Sequence, residues 1–226
     1  MEPLFPIPHP CIPIEGSERG FPVRRIWCVG RNYAEHAKEM GFDHREPPFF
    51  FAKPADAVVT GGGLVPYPPR TANLHHEIEL VVAVGRGGRD IPAEAAAAHV
   101  FGLAVGLDLT RRDLQATFKE KGQPWEMAKA FDHSAPIGVL HRVVDGLLPE
   151  RACIWLRVNG AERQRSDIAK MIWSVPEILM HLSAFVELAP GDLIFTGTPE
   201  GVGRIQRGDA LLGGIDGLGE LAVTIV

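Results

Sequence analysis

Apolar residues in this chain come in short runs cut by breakers, not in long helical periods. Val23 to Val29 reads as a strand ending at Gly30. Phe49-Phe50-Phe51, bounded by Pro47-Pro48 and Pro54, reads as a buried strand. His76 to Val84 alternates only partly, and Phe101 to Leu107 is a further apolar run. In the C-terminal half Cys153 to Val158 alternates and Asn159-Gly160 is a hairpin signal. Leu193 to Thr196 and Glu220 to Val226 complete the strands. Gly61-Gly62-Gly63, Pro66 to Pro69 and Pro190-Gly191-Asp192 mark turns.

Helical signals are fewer. Arg31 to Met40, stopped by Gly41, carries charge on most faces, so such a helix has a weak hold on a core. A short alanine-rich helix opens at Ile91-Pro92. Thr110 can cap a helix with Asp113 three residues on and Leu114 and Phe118 at i, i+4. Ser174, Pro176 and Glu177 open an amphipathic helix towards Phe185. Residues 1–22, rich in Pro and Gly, predict an N-terminal surface arm. The chain is therefore expected to be α+β, mainly β, with one catalytic-sized domain over 23–226 and no βαβ alternation.

Composition narrows the partners. The 226 residues allow one large domain or two small ones. A net charge of −5 with no basic stripe gives nucleic-acid binding no support. No apolar stretch approaches membrane-spanning length, and residues 1–13 lack the basic and apolar regions of a secretory signal. The three cysteines, Cys11, Cys28 and Cys153, are far apart without metal-like spacing. They are expected to be buried free thiols in a reducing compartment, hence a cytoplasmic protein.

Several residues could carry chemistry. On a strand, Glu77 and Glu79 would share a face, where two carboxylates repel unless a cation lies between them. A hard ion such as Mg²⁺ resolves this, and an exposed strand edge is the plainer alternative. Asp108 ends an apolar run and could supply a third carboxylate, or it could cap the following helix. Lys129, flanked by apolar residues, either snorkels or holds an anionic oxygen. His36 and Glu39 stand three apart, as an oriented general base or as a solvated pair. Thr196-Gly197-Thr198-Pro199 could offer backbone N–H and hydroxyl groups to a ligand carboxylate, or be an ordinary strand-ending turn.

These residues stand in a known order. Arg25 to His36 (with Cys28-Val29-Gly30-Arg31-Asn32-Tyr33) resembles the opening signature of the fumarylacetoacetate hydrolase family. Phe51-Ala52-Lys53-Pro54, His75-His76-Glu77-Ile78-Glu79-Leu80 and Asp108 to Gln115 are similar to its later elements. Lys121 to Trp125, Ala128-Lys129 and Thr196 to Pro199 follow in family order. The resemblance implies a mixed β-sandwich roll of the family's C-terminal domain type. It implies Mg²⁺ or Mn²⁺ on Glu77, Glu79 and Asp108. Lys129, Gln115 and Thr198 would hold a substrate's pyruvoyl end, with Arg112 supporting near the metal. His36 and Glu39 would form the lid pair that activates water. The implied reaction is hydrolysis of a C–C bond in a small diketo acid, an acylpyruvate, with the branch acting on fumarylpyruvate the nearest match. Arg31, Lys53 and Arg45 are candidates to read a distal carboxylate. Decarboxylation of oxaloacetate, a dienoate isomerase or hydratase, and a catalytically silent metal-binding protein are the alternatives. Short members form homodimers.

Overall fold

The computed structural model describes residues 4–5, 7–33 and 46–226. Strands dominate it, as expected. The largest sheet runs Phe49–Lys53, Arg25–Gly30, Asp192–Phe195, Ile78–Val84, Val100–Leu107, Ala135–Ile137, Val58–Thr60, and His141–Arg142 also pairs with Val100–Leu107. A five-stranded sheet runs Ala161–Asp167, Cys153–Val158, Ala210–Ile215, Glu220–Ile225, Gly63–Val65. A small three-stranded sheet joins Thr110–Arg111, Leu74–His76 and Gly203–Ile205.

The strand Ile78–Val84 explains why its sequence alternates only partly. Leu80, Val82 and Val84 face the main core, which is shared with Ile154, Leu156 and Val223 of the five-stranded sheet. Val81 and Ala83 face a second core with Ile26, Leu193 and Phe195. A strand buried on both faces needs apolar residues at both parities. The segment read as an N-terminal arm closes that second face: Cys11–Pro13 and Gly20–Pro22 form a hairpin that buries Ile12 and Phe21 there.

Four local expectations need correction. Thr110 does not cap a helix. It is buried in a short strand and its hydroxyl donates to the Asp108 carbonyl, so the helix starts later, at Arg112–Glu120. The alanine-rich segment is a 3₁₀ stretch, Ala93–His99. Phe49–Lys53 is a strand, but its phenylalanines are only half buried. The cysteines are free, yet only Cys28 is buried; Cys11 is exposed and Cys153 intermediate. The Ser174 expectation holds: Glu177 Oε2 accepts from both the Ser174 N–H and hydroxyl at the start of Val175–Phe185. Of the helix expected at Arg31–Met40, residues 31–33 are not helical and 34–40 lie outside the described residues. No helix among the described residues is long and apolar enough to cross a membrane.

Candidate active site

Strand register brings the acidic residues together. Glu79 pairs with Gly106 across the Ile78–Val84 and Val100–Leu107 ladder. A Cβ on Gly106 would come within 2.5 Å of Val81 and 2.8 Å of Phe195, so only glycine fits there. Asp108 lies two residues beyond Gly106, on the same face by the period of two. Its N–H donates to the Glu77 carbonyl at 2.9 Å, which sets Glu77 opposite it. All three carboxylates are buried, and each offers an oxygen within 4.8 Å of the others. The exposed-edge and helix-cap alternatives therefore fall.

Three cations surround them. Lys129 Nζ bridges Glu77 Oε2 at 2.7 Å and Asp108 Oδ2 at 2.6 Å. Lys53 Nζ lies 2.8 Å from Asp108 Oδ1 and also donates to the carbonyls of Leu109, Lys129 and Ser134. Arg112 reaches Glu77 Oε1 through one nitrogen and Gln115 Oε1 at 2.5 Å through another. Its Nε donates to His75 Nδ1 at 3.4 Å, and His75 Nε2 faces Asn73 Oδ1. Burial, and then the Arg112 charge, lower the His75 pKa to about 4. The imidazole is thus neutral and can accept that bond while donating to Asn73.

Glu79 differs from its neighbours. No ion pair among the described residues reaches it, although the Gly197 N–H donates to its Oε2 at 2.8 Å. Burial first, then Asp108 and Glu77, raise its pKa well above the usual carboxylate range. A buried carboxyl without a paired cation, beside two other carboxylates, is the donor set a hard divalent ion would satisfy. All-oxygen, anionic ligands suit Mg²⁺ or Mn²⁺. Lys129 shows the opposite balance: burial works against its ammonium, but Asp108 and Glu77 outweigh that and raise its pKa.

Two expectations follow. Glu79 must lose its proton to ligate, so metal binding releases a proton and weakens as pH falls. In metal-free protein the raised pKa has the matching sign: stability is lost as pH rises through it, because ionised Glu79 is then buried unpaired. Titration calorimetry in two buffers of different ionisation enthalpy reads the proton release directly, and equal heats in both would contradict it. Lys129→Met leaves Glu77 and Asp108 facing each other without their bridge. Metal-free, it is expected to lose about 3–5 kcal/mol of stability, the usual cost of removing one partner of a buried pair. Mg²⁺ is expected to restore part of this. Urea unfolding with EDTA and with Mg²⁺ measures both, and a loss under about 1 kcal/mol would contradict the bridge.

The rim is fixed by residues the sequence did not single out. Gln164 Oε1 accepts from Ile78 N and faces His76 Nδ1, while its Nε2 donates to Thr198 Oγ1 and the Pro199 carbonyl. This buried amide ties the metal strand to the 196–199 turn. The Thr198 hydroxyl donates to the Ile78 carbonyl. Its proton is therefore committed to the scaffold, as are the N–H groups of Thr196 (to the Leu80 carbonyl) and Gly197 (to Glu79), so a ligand carboxylate would have to use the Thr198 backbone N–H. Asn32 completes the frame: its side chain bonds the Trp173 N–H and carbonyl and the Thr196 carbonyl. Gly197, at φ +96°, packs so closely that an added Cβ would lie 2.7 Å from Asn32 Cβ.

One cavity is lined by Glu77, Glu79, Asp108 and Lys129, and by Arg31, Arg112, Gln115 and Thr198. With Lys53, these are the candidates that fall within the described residues; His36, Glu39 and Arg45 lie outside them. Lys53 is removed as a reader of a distal carboxylate, because it is buried beneath Asp108. Cys28 is no nucleophile, since burial and Asp108 raise its thiol pKa well above normal.

Comparison with known proteins places the whole of this domain in one family. The fumarylacetoacetate hydrolase C-terminal family matches residues 25–226. A crystal structure described as fumarylpyruvate hydrolase from Pseudomonas aeruginosa in complex with Mn²⁺ and pyruvate is 58% identical, with a TM-score of 0.96, covering 100% of this chain and 99% of that one. Fumarylpyruvate hydrolase of a Ralstonia species is 42% identical over 80% of this chain and 93% of its own length. The mitochondrial oxaloacetate tautomerase of Rattus norvegicus is also 42% identical, over 87% of this chain and 92% of its own. With its acidic triad, its strand order and this full-length likeness, the chain belongs to the fumarylacetoacetate hydrolase family.

Proposed function

We propose that this protein is a divalent-metal-dependent hydrolase that cleaves fumarylpyruvate to fumarate and pyruvate. The observation that carries this is the buried Glu77, Glu79 and Asp108 set, inside a cavity that also presents Lys129 and Arg31. The 58% identical structure holding Mn²⁺ and pyruvate supports it. Three carboxylates face four cationic side chains, Lys53, Lys129, Arg112 and Arg31, so the described site already leans positive before any metal. A divalent ion makes it more positive, as an anionic diketo acid requires.

A bound ion would supply Lewis-acid stabilisation of charge developing on the pyruvyl oxygens. The chain's own residues do the rest. Lys129 places a fixed ammonium beside the same oxygens, in a dry site where such charge counts most. Gln115 and the Thr198 backbone N–H orient the pyruvyl carboxylate. His36, oriented by Glu39, takes a proton from water, whose oxygen attacks the C4 carbonyl. The C3–C4 bond breaks and its electron pair leaves with C3 as pyruvate enolate, which takes back the proton held by His36. The water oxygen ends in the new fumarate carboxylate.

The test is the ultraviolet enol band of fumarylpyruvate, followed with Mg²⁺ or Mn²⁺ and then with EDTA. Acetylpyruvate and oxaloacetate run in parallel. Fast, EDTA-sensitive loss yielding fumarate and pyruvate is expected. The tautomerase relative supports a second reading, in which oxaloacetate tautomerises faster and fumarylpyruvate stays intact. Carbon dioxide from oxaloacetate would instead indicate a decarboxylase, and silence on all three a metal-binding protein without catalysis. A homodimer in the cytoplasm, serving aromatic-compound breakdown, completes the reading. Light scattering that returns a monomer mass, or cell fractionation that places the protein elsewhere, would overturn those parts.

A further inference from the structure

The cavity does not end at the carboxylates. Past Arg31 it meets an adjoining space of about 390 Å³, and Arg31, Phe49, Phe51 and Trp125 line both. The Phe49 and Trp125 rings meet edge to face, with centroids 5.4 Å apart at 83°. They form a half-buried aromatic corner that, among the described residues, faces the cavity. The Arg31 guanidinium sits 5.1 Å from the Phe49 centroid. The backbone builds this corner deliberately. Gly30 is the register partner of Phe49, and a Cβ there would come within 2.0 Å of the Phe49 ring. Only glycine lets that ring lie across the neighbouring strand. Arg31 follows at φ +61°, which turns the chain at the cavity mouth. On the other wall, the Trp125 carbonyl accepts from the Ala128 and Lys129 N–H groups. The aromatic wall and the Lys129 ammonium thus share one helical turn.

We propose that Phe49, Trp125 and Arg31 form the acyl-selecting subsite, which prefers a planar, conjugated acyl chain ending in a carboxylate. This rests on the hydrolase reading above and adds the residues that choose the acyl group. A flat chain lies against one ring with its edge to the other. A saturated chain is thicker and flexible, and loses both contact and rotamer freedom. The distal carboxylate takes the planar guanidinium fork, which lysine would not reproduce. Because Trp125 and Lys129 share a turn, binding of the acyl group also helps to hold the cation at the reacting end.

The experiment compares kcat/KM for fumarylpyruvate, its saturated succinyl counterpart and acetylpyruvate in the wild type and four variants. Arg31→Gln is expected to cut the preference for fumarylpyruvate over acetylpyruvate by about 10–100-fold. Trp125→Leu and Phe49→Leu are expected to cut the preference for the fumaryl over the succinyl chain by about 5–10-fold. Gly30→Ala removes no contacting group but displaces the Phe49 ring, and is expected to match Phe49→Leu. Inhibition by fumarate and by pyruvate gives a second readout: Arg31→Gln is expected to weaken fumarate more than pyruvate. Parallel losses on all substrates, or unchanged ratios, would overturn the subsite while leaving the hydrolase. A wild type that cleaves none of the three overturns the hydrolase reading itself.

Discussion

Glu79→Ala is expected to abolish divalent-metal binding and, with it, turnover. The argument is electrostatic. Glu77 and Asp108 already have Lys129, Lys53 and Arg112 as partners, whereas no ion pair among the described residues reaches Glu79. Its raised pKa marks the cost of holding that charge without one. An ion that ligates all three carboxylates therefore gains most from Glu79. The same logic separates this variant from a folding defect. Removing a buried carboxyl that no ion pair among the described residues reaches relieves repulsion on its neighbours, so the metal-free variant is expected to melt no lower than the wild type. Glu79→Gln, which keeps an oxygen for the Gly197 N–H, is expected to lose metal as well. Elemental analysis after dialysis against Mn²⁺ reads the outcome, and stoichiometric metal in either variant would remove Glu79 from the ligand set.

His36→Ala is expected to lose turnover by about 10²–10⁴-fold while retaining metal. Among the described residues the metal set lies within 77–108 and its cations come from 53, 112 and 129, so the described ligand set is complete without position 36. Before it in the chain, Asn32 is pinned to Trp173 and Thr196, and Tyr33 bridges to Met171. If Glu39 orients His36 as proposed, Glu39→Gln is expected to weaken turnover less, because the amide oxygen can still accept from an imidazole. Loss of metal in His36→Ala equal to that in Glu79→Ala would contradict the separation of base from ligands.

Much of this was legible in the sequence, and the failures have physical causes. Glu77-Ile78-Glu79 in an apolar run signalled paired carboxylates that needed a cation, and the structure buries both with Asp108. The strand idea behind it holds only in part. Glu77 occupies a one-residue break between Leu74–His76 and Ile78–Val84, and the Asp108 N–H bond to its carbonyl sets its place. Asp108 could not be separated from a helix cap locally, because that choice is made by Lys129 and Lys53, 21 and 55 residues away in sequence. Gln164 was invisible for a similar reason. It sits in a strand of mostly exposed polar residues, Ala161–Asp167, and acquires its role only where that strand crosses the Thr198 turn. Phe49 read as core because apolar runs usually are. Its half-burial reflects a cavity wall, which no period along the chain can announce.

Hydrolysis in water enriched with ¹⁸O tests the central claim most directly. Metal-loaded enzyme is mixed with fumarylpyruvate, and the products are read by mass spectrometry against an EDTA control. One ¹⁸O atom in the fumarate carboxylate, with pyruvate formed in equal amount and neither product formed under EDTA, is the predicted result. Fumarate without the label, or substrate consumed without C3–C4 cleavage, would contradict it.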